Sequence, residues 1–121
     1  MARETVVVAD DSALARKQLI KTLPERWDVA VREAKNGREA LAAYDNEARV
    51  LFLDLTMPEM DGFQVLENLA ERGDPYRVIV ISADIQPKAI ERVKELGALA
   101  FLQKPVAAEE LESALTEHGI L

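Results

Sequence analysis

Four short apolar runs punctuate the chain: Val6-Val7-Val8-Ala9, Val50-Leu51-Phe52-Leu53, Val78-Ile79-Val80-Ile81 and Leu99-Ala100-Phe101-Leu102. Runs this short, rich in β-branched or aromatic residues, predict strands buried on both faces. A fifth segment, Asp28 to Ala34, spaces Val29 and Val31 by two with Arg32 and Glu33 beside them, which predicts a less buried edge strand. Between these segments the apolar positions fall on a helical period of about 3.6 residues, as in Ile85, Ala89, Ile90, Val93 and Leu96, or Leu111, Ala114 and Leu115. Those are helices lying on a sheet. Punctuation agrees: Ser12 is placed to cap the first helix and Pro24 to stop it, and Asn36-Gly37 opens the second. Pro87 suits the first turn of the fourth helix, and Gly97 follows its last turn. A β-α order repeated five times predicts an α/β, doubly wound parallel sheet with right-handed crossovers and helices on both faces.

Length and composition narrow this further. With 121 residues, 49% of them hydrophobic, the chain supports one core, and a single domain over 1–121 is expected. A formal net charge of -7 without a basic run argues against nucleic acid or an anionic membrane as partner, and favours a protein or a small anion held through a metal. The absence of cysteine excludes disulfides and thiolate metal sites. Val6 to Ala9 runs into two aspartates, not a cleavage site, so it is neither a signal peptide nor a membrane span. The cytoplasm is the expected location.

Ligands of open α/β sheets bind outside the carboxyl ends of the strands. The residues that follow the apolar runs there are Asp10 and Asp11, then Asp54, then Ser82, and, after Gln103, Lys104. Three carboxylates sharing one cleft repel one another unless a cation joins them. An oxygen-only set of this kind suits magnesium, which keeps waters and takes a phosphate oxygen as a further ligand. An aspartate can act as nucleophile toward a phosphoryl group, and in-line transfer then needs charge stabilisation more than acid or base. The metal, the Lys104 ammonium and the Ser82 hydroxyl are groups of that kind.

The Val-Val-Val-Ala-Asp-Asp start, the stretch Leu-Asp-Leu-Thr-Met-Pro-Glu-Met-Asp-Gly from Leu53 to Gly62, Ile-Ser-Ala at 81–83 and Lys104-Pro105 occur in this order and at these spacings. Together they resemble the receiver domain of two-component response regulators, most of all the single-domain, chemotaxis-type CheY-like members. The resemblance covers essentially the whole chain. It implies a flavodoxin-like sheet of strand order 2-1-3-4-5, with Asp54 as phosphoacceptor. Asp10, Asp11, Asp54 and the Thr56 backbone carbonyl would hold Mg2+, and Lys104 would pair with the phosphoryl group. Ser82 and Phe101 would form a switch that reports it, and the Lys104–Pro105 bond would be cis. A sensor histidine kinase is the implied donor and a downstream protein, or a phosphatase, the implied partner of a monomer. Two positions depart from the commonest pattern. Thr56 stands where many members carry asparagine, and Asp84 adds charge two residues past Ser82, so both bear on phosphate lifetime.

Plainer readings compete. Asp10 and Asp11 could cap the first helix, Asp61-Gly62 is an ordinary turn and helix start, and His118 a solvated helix-end residue. An enzymatic alternative, a haloacid-dehalogenase-type phosphohydrolase, needs a second carboxylate where Thr56 stands, and the chain has no room for a cap domain. An interaction module that is never phosphorylated conflicts with an intact Asp54 and Lys104. The chain is expected to be either a complete single-domain regulator or a receiver cut from a longer one.

Overall fold

All five apolar segments form strands: β1 (Glu4–Ala9), β2 (Val29–Ala34), β3 (Ala48–Leu53), β4 (Val78–Ser82) and β5 (Ala100–Gln103). Helices α1 (Ala13–Thr22), α2 (Gly37–Ala43), α3 (Gly62–Arg72), α4 (Pro87–Glu95) and α5 (Ala108–Glu117) alternate with them. This is a computed structural model describing residues 3–45, 47–73 and 75–121. The strands are parallel, in the order β2-β1-β3-β4-β5, a flavodoxin-like arrangement.

Strand alternation splits the core in two, because successive side chains leave opposite faces. Val7, Leu51, Leu53, Val78 and Val80 face α2, α3 and α4 through Ala40, Val65, Leu66, Leu69 and Val93. Val6, Val8, Phe52, Ile79 and Ile81 face α5 and α1, the former through Leu111 and Leu115. Helix α1 packs more loosely: it buries no residue fully and offers the core only the half-buried Leu19 and Ile20.

The expected caps form. Ser12 Oγ accepts from the Ala15 N–H at 3.2 Å, and Asn36 Oδ1 from the Glu39 N–H at 2.8 Å. Leu23, forced to extended geometry by Pro24, ends α1. Gly97, at φ 95°, follows α4.

Two expectations are corrected. The last apolar run was expected to be buried on both faces. Instead β5 is an edge strand whose residues are half-buried or exposed, since only β4 flanks it, and it begins at Ala100 rather than Leu99. Ile85, counted among the apolar positions of the fourth helix, lies before it and is 50% exposed. The helix cannot start earlier than Gln86, its N-cap, with Pro87 in the first turn. Among the described residues, no helix is long and apolar enough to cross a membrane.

Register aligns the carboxyl ends of the strands. Ala9 pairs with both Ala34 and Leu53, Leu53 pairs with Val80, and Ser82 pairs with Gln103. The residues one step further on from β1 and β3, Asp10 and Asp54, therefore emerge side by side, and Lys104 leaves the end of β5, two strands from Asp54.

Candidate functional site at the carboxyl rim of the sheet

The ladder continues one residue past the strands. Asp10 N–H donates to Ala34 O, Asp54 N–H to Ala9 O and Lys104 N–H to Ser82 O, each at 3.0 Å. These bonds fix the backbone from which three functional side chains leave.

Asp10 is buried, and both its carboxylate oxygens are engaged. Oδ1 accepts from the Ser12 N–H at 2.9 Å and Oδ2 from Lys104 Nζ at 2.5 Å. Asp54, 8% exposed, accepts from the Leu55 N–H at 2.9 Å through Oδ1, and its Oδ2 lies 3.5 Å from Lys104 Nζ. Asp11 is exposed beside them. One carboxylate oxygen from each of Asp10, Asp11 and Asp54 falls within 4.8 Å of the others. Three carboxylates thus face a single ammonium.

The electrostatics follow first from burial and then from these neighbours. Burial pushes the Asp54 carboxyl above its ordinary range; Lys104 pulls it back and Asp10 pushes it further up, leaving a net rise. Burial alone would lower Lys104, but its hydrogen bond to Asp10 and the charge of Asp54 outweigh it, so the amine is held above its usual range and stays cationic. A buried carboxylate of raised pKa beside a fixed cation is an arrangement common at functional sites. The donor set contains only oxygens, gathered from two strand ends closely enough to share one ion. It fits a hard divalent cation such as magnesium.

The other expected residues are placed as follows. Ser82 is 2% exposed at the end of β4, and its Oγ accepts from the Asp84 N–H at 3.1 Å. Phe101 pairs with Val80 in the β4–β5 register and packs, half-buried, on the same side as the α2–α4 core. Alternation puts Ser82, two residues past Val80, toward that side as well. Thr56 is exposed two residues after Asp54, while Met57 beside it is buried. The Lys104–Pro105 bond is cis, as the resemblance implied. Asp61 does cap α3, in a capping box with Gln64, and His118 is the C-cap residue of α5.

Gly62, expected only to start a helix, does more. A Cβ there would lie 2.6 Å from the Asp54 carbonyl oxygen and 2.9 Å from Leu55 Cα, and the Gly62 N–H donates to Leu55 O at 3.0 Å. The start of α3 thus abuts the backbone of Asp54, an approach only glycine permits. The available signal was a glycine directly after a capping aspartate, eight positions from a strand-end aspartate.

Comparison with known proteins agrees with this geometry. Residues 6–116 match the response regulator receiver domain family. The chain is 35% identical over 107 residues to chemotaxis protein CheY of Listeria monocytogenes, covering 87% of this chain and 90% of that protein. It is 37% identical to the positive alginate biosynthesis regulatory protein of Pseudomonas aeruginosa, covering 91% of this chain but only 45% of that longer protein. Other curated relatives are likewise spanned to less than half their length. Among solved structures, the CheX-CheY-BeF3-Mg complex of Borrelia burgdorferi aligns with TM-score 0.86 at 29% identity, over 95% of this chain and 88% of that one.

Proposed function

The chain belongs to the response regulator receiver domains of two-component systems, and from that premise we propose that it is a phosphoacceptor switch in which Asp54 receives the phosphoryl group. The family is one of signalling domains, not an enzyme in itself. The observation that carries the reading is the meeting of Asp54 with Asp10, Asp11 and Lys104 on one rim.

The residues supply what an in-line transfer needs. A carboxylate oxygen of Asp54 attacks phosphorus as the bond to the donor breaks, forming an acyl phosphate. Burial raises the energy of the ionised Asp54, so the charged nucleophile is poorly solvated and poised for attack. Lys104, held cationic, faces the equatorial oxygens where negative charge accumulates, and Ser82 is a hydroxyl donor on the neighbouring strand end. Asp10, Asp11, Asp54 and the Thr56 carbonyl would hold Mg2+, which when bound neutralises charge on the transferring group. Thr56, which is exposed, and Asp84, which is half-buried, are the two departures from the commonest family pattern and set how long the phosphate lasts.

The donor is a sensor histidine kinase, and the readout passes from Ser82 to Phe101 and on to the face formed by α4, β5 and α5, where a downstream protein binds. The Borrelia complex, in which a CheY binds CheX with BeF3 and Mg, supports partner binding by such a state, and the CheY relatives support a role in chemotaxis. The domain spans 1–121 and acts as a cytoplasmic monomer. Acetyl phosphate tests the reading. Intact protein should gain one phosphoryl group, the gain should require Mg2+ and vanish with a chelator, and hydroxylamine should strip the adduct. A Mg2+-independent or hydroxylamine-resistant adduct would overturn it.

A further inference from the structure

Arg16 is a charged side chain that the transfer chemistry leaves unused. It lies in α1 and is only 15% exposed. Its Nη1 donates to the Asp10 carbonyl oxygen at 2.7 Å, and its Nε donates to Glu33 Oε1 at 2.8 Å. Glu33 is the penultimate residue of β2, and its neighbour Ala34 takes the Asp10 N–H on its own carbonyl. Asp10 is therefore gripped on both sides of its backbone. Its N–H is held directly by the end of β2, and its carbonyl is held by Arg16, itself anchored to the end of β2 through Glu33.

The carbonyl that Arg16 holds belongs to the peptide joining Asp10 to Asp11. The plane of that peptide sets the directions in which the two carboxylates leave the backbone. The Ser12 N–H at the α1 N-cap holds the Asp10 carboxylate itself, but packing of α1 adds little. The helix buries no residue fully, and a cavity of about 390 Å³, lined by Leu19, Phe52, Ile81 and Val106 among others, lies between it and the sheet. A polar tie thus takes the place of packing where α1 meets the rim. Arginine suits the task because a planar guanidinium can bond two differently placed acceptors at once, which a lysine ammonium on a flexible stem does poorly.

We infer that Arg16, held in place by Glu33, is a positioning residue that orients the Asp10–Asp11 pair and thereby strengthens divalent-cation binding, although its own positive charge opposes it. The inference rests on the proposed Mg2+ site. Two physical roles for Arg16 predict opposite signs. If the guanidinium acts only through its charge, its removal relieves repulsion and Mg2+ binds more tightly. If it acts by orientation, its removal frees the Asp10–Asp11 peptide and Mg2+ binds more weakly. Glu33 cancels much of the charge while leaving the orientation intact.

Calorimetric titration of the full chain with Mg2+ alone separates them, with circular dichroism establishing that each variant is folded. Arg16→Ala should raise the Kd about tenfold, the lower end of what loss of a group supporting metal ligands costs. Arg16→Lys, which keeps the charge, should not restore affinity, and Glu33→Gln should weaken binding to a lesser degree. Should Arg16→Ala fail to fold, Arg16→Lys carries the test, because charge alone predicts an unchanged Kd and orientation a raised one. An unchanged or lower Kd in Arg16→Ala, recovery in Arg16→Lys, or a fall in stability with the Kd unaltered would overturn the inference. Failure of the wild-type protein to bind Mg2+ would overturn the metal site itself, a distinct result.

Discussion

The Lys104 ammonium rests on Asp10, 2.5 Å from Oδ2, and is a full ångström farther from Asp54 at 3.5 Å. It therefore engages one of the two oxygens of a carboxylate that a cation shared by the three aspartates would also draw on. Ammonium and metal compete for the same carboxylate. Unit charges about 4 Å apart near a protein surface interact by as much as a few kcal/mol before screening, and Lys104 is partly exposed, so only part of that is felt. Lys104→Ala should accordingly tighten Mg2+ binding about tenfold, equivalent to ~1.4 kcal/mol, while slowing phosphorylation by acetyl phosphate. Calorimetry and a mass-spectrometric time course report the two effects. Weaker Mg2+ binding in the variant would mean that the amine supports the metal site instead of competing with it.

Gly62 yields a second expectation. An alanine methyl there must displace the Asp54 carbonyl or Leu55 Cα, both backbone atoms that cannot swing aside. Overpacking of this kind costs about 1–3 kcal/mol. Gly62→Ala should lower the urea midpoint at constant slope and also slow phosphorylation, because α3 is pushed off the acceptor's own backbone. Unchanged stability would show that the helix start yields freely.

Why these features differ in legibility is physical. The runs Val6–Ala9, Val50–Leu53 and Val78–Ile81 of β1, β3 and β4 are buried on both faces, so they are apolar without interruption and each points straight to the aspartate or serine that follows the run. Asp10, Asp11 and Asp54 were readable for that reason, and Lys104 because it closes the apolar run of β5 after one intervening residue. The edge strand β5 has a similar composition without the burial, and composition alone does not separate the two cases. Ile85 fell on the helical period by coincidence, in a loop that Pro87 closes. The strand-end position offered Ser82 as a candidate, but Ser82 and Phe101 look like any turn serine and core aromatic, and only the family pattern marked them as a switch. Arg16 and Gly62 matter through contacts with Glu33 and with the backbone of Asp54, which follow from how α1 and α3 dock and leave no local trace.

The burial of Asp54 has a pH signature. Because its folded-state carboxyl is raised chiefly by burial, the stability it contributes when protonated is fully present below the ordinary carboxylate range. That contribution is lost as pH rises through the raised value. Asp54→Asn, which cannot ionise, should be the more stable protein at neutral pH in Mg2+-free buffer, and its advantage should shrink as pH falls through the raised Asp54 value and be gone below about pH 4. Urea melts across that range measure the difference. A wild-type protein more stable than the variant at neutral pH would contradict it.

The proposed switch is tested through Ser82. Its Oγ already accepts from the Asp84 N–H, so its hydroxyl proton is free to turn to a phosphoryl oxygen. Ser82→Ala should keep phosphorylation but reduce the amide chemical-shift changes that beryllofluoride induces on α4, β5 and α5. Coupling of this kind is commonly worth about 1–3 kcal/mol. Equal distal shifts in variant and wild type would remove Ser82 from the readout.

The central claim is that Asp54 is the phosphoacceptor, and intact-mass spectrometry after acetyl phosphate and Mg2+ treatment tests it most directly. Asp54→Asn keeps the size of the side chain and an oxygen able to accept from the Leu55 N–H, but lacks a nucleophilic carboxylate. Wild-type protein should gain the mass of one phosphoryl group and the variant none. The same gain in both would place the acceptor elsewhere and contradict the account.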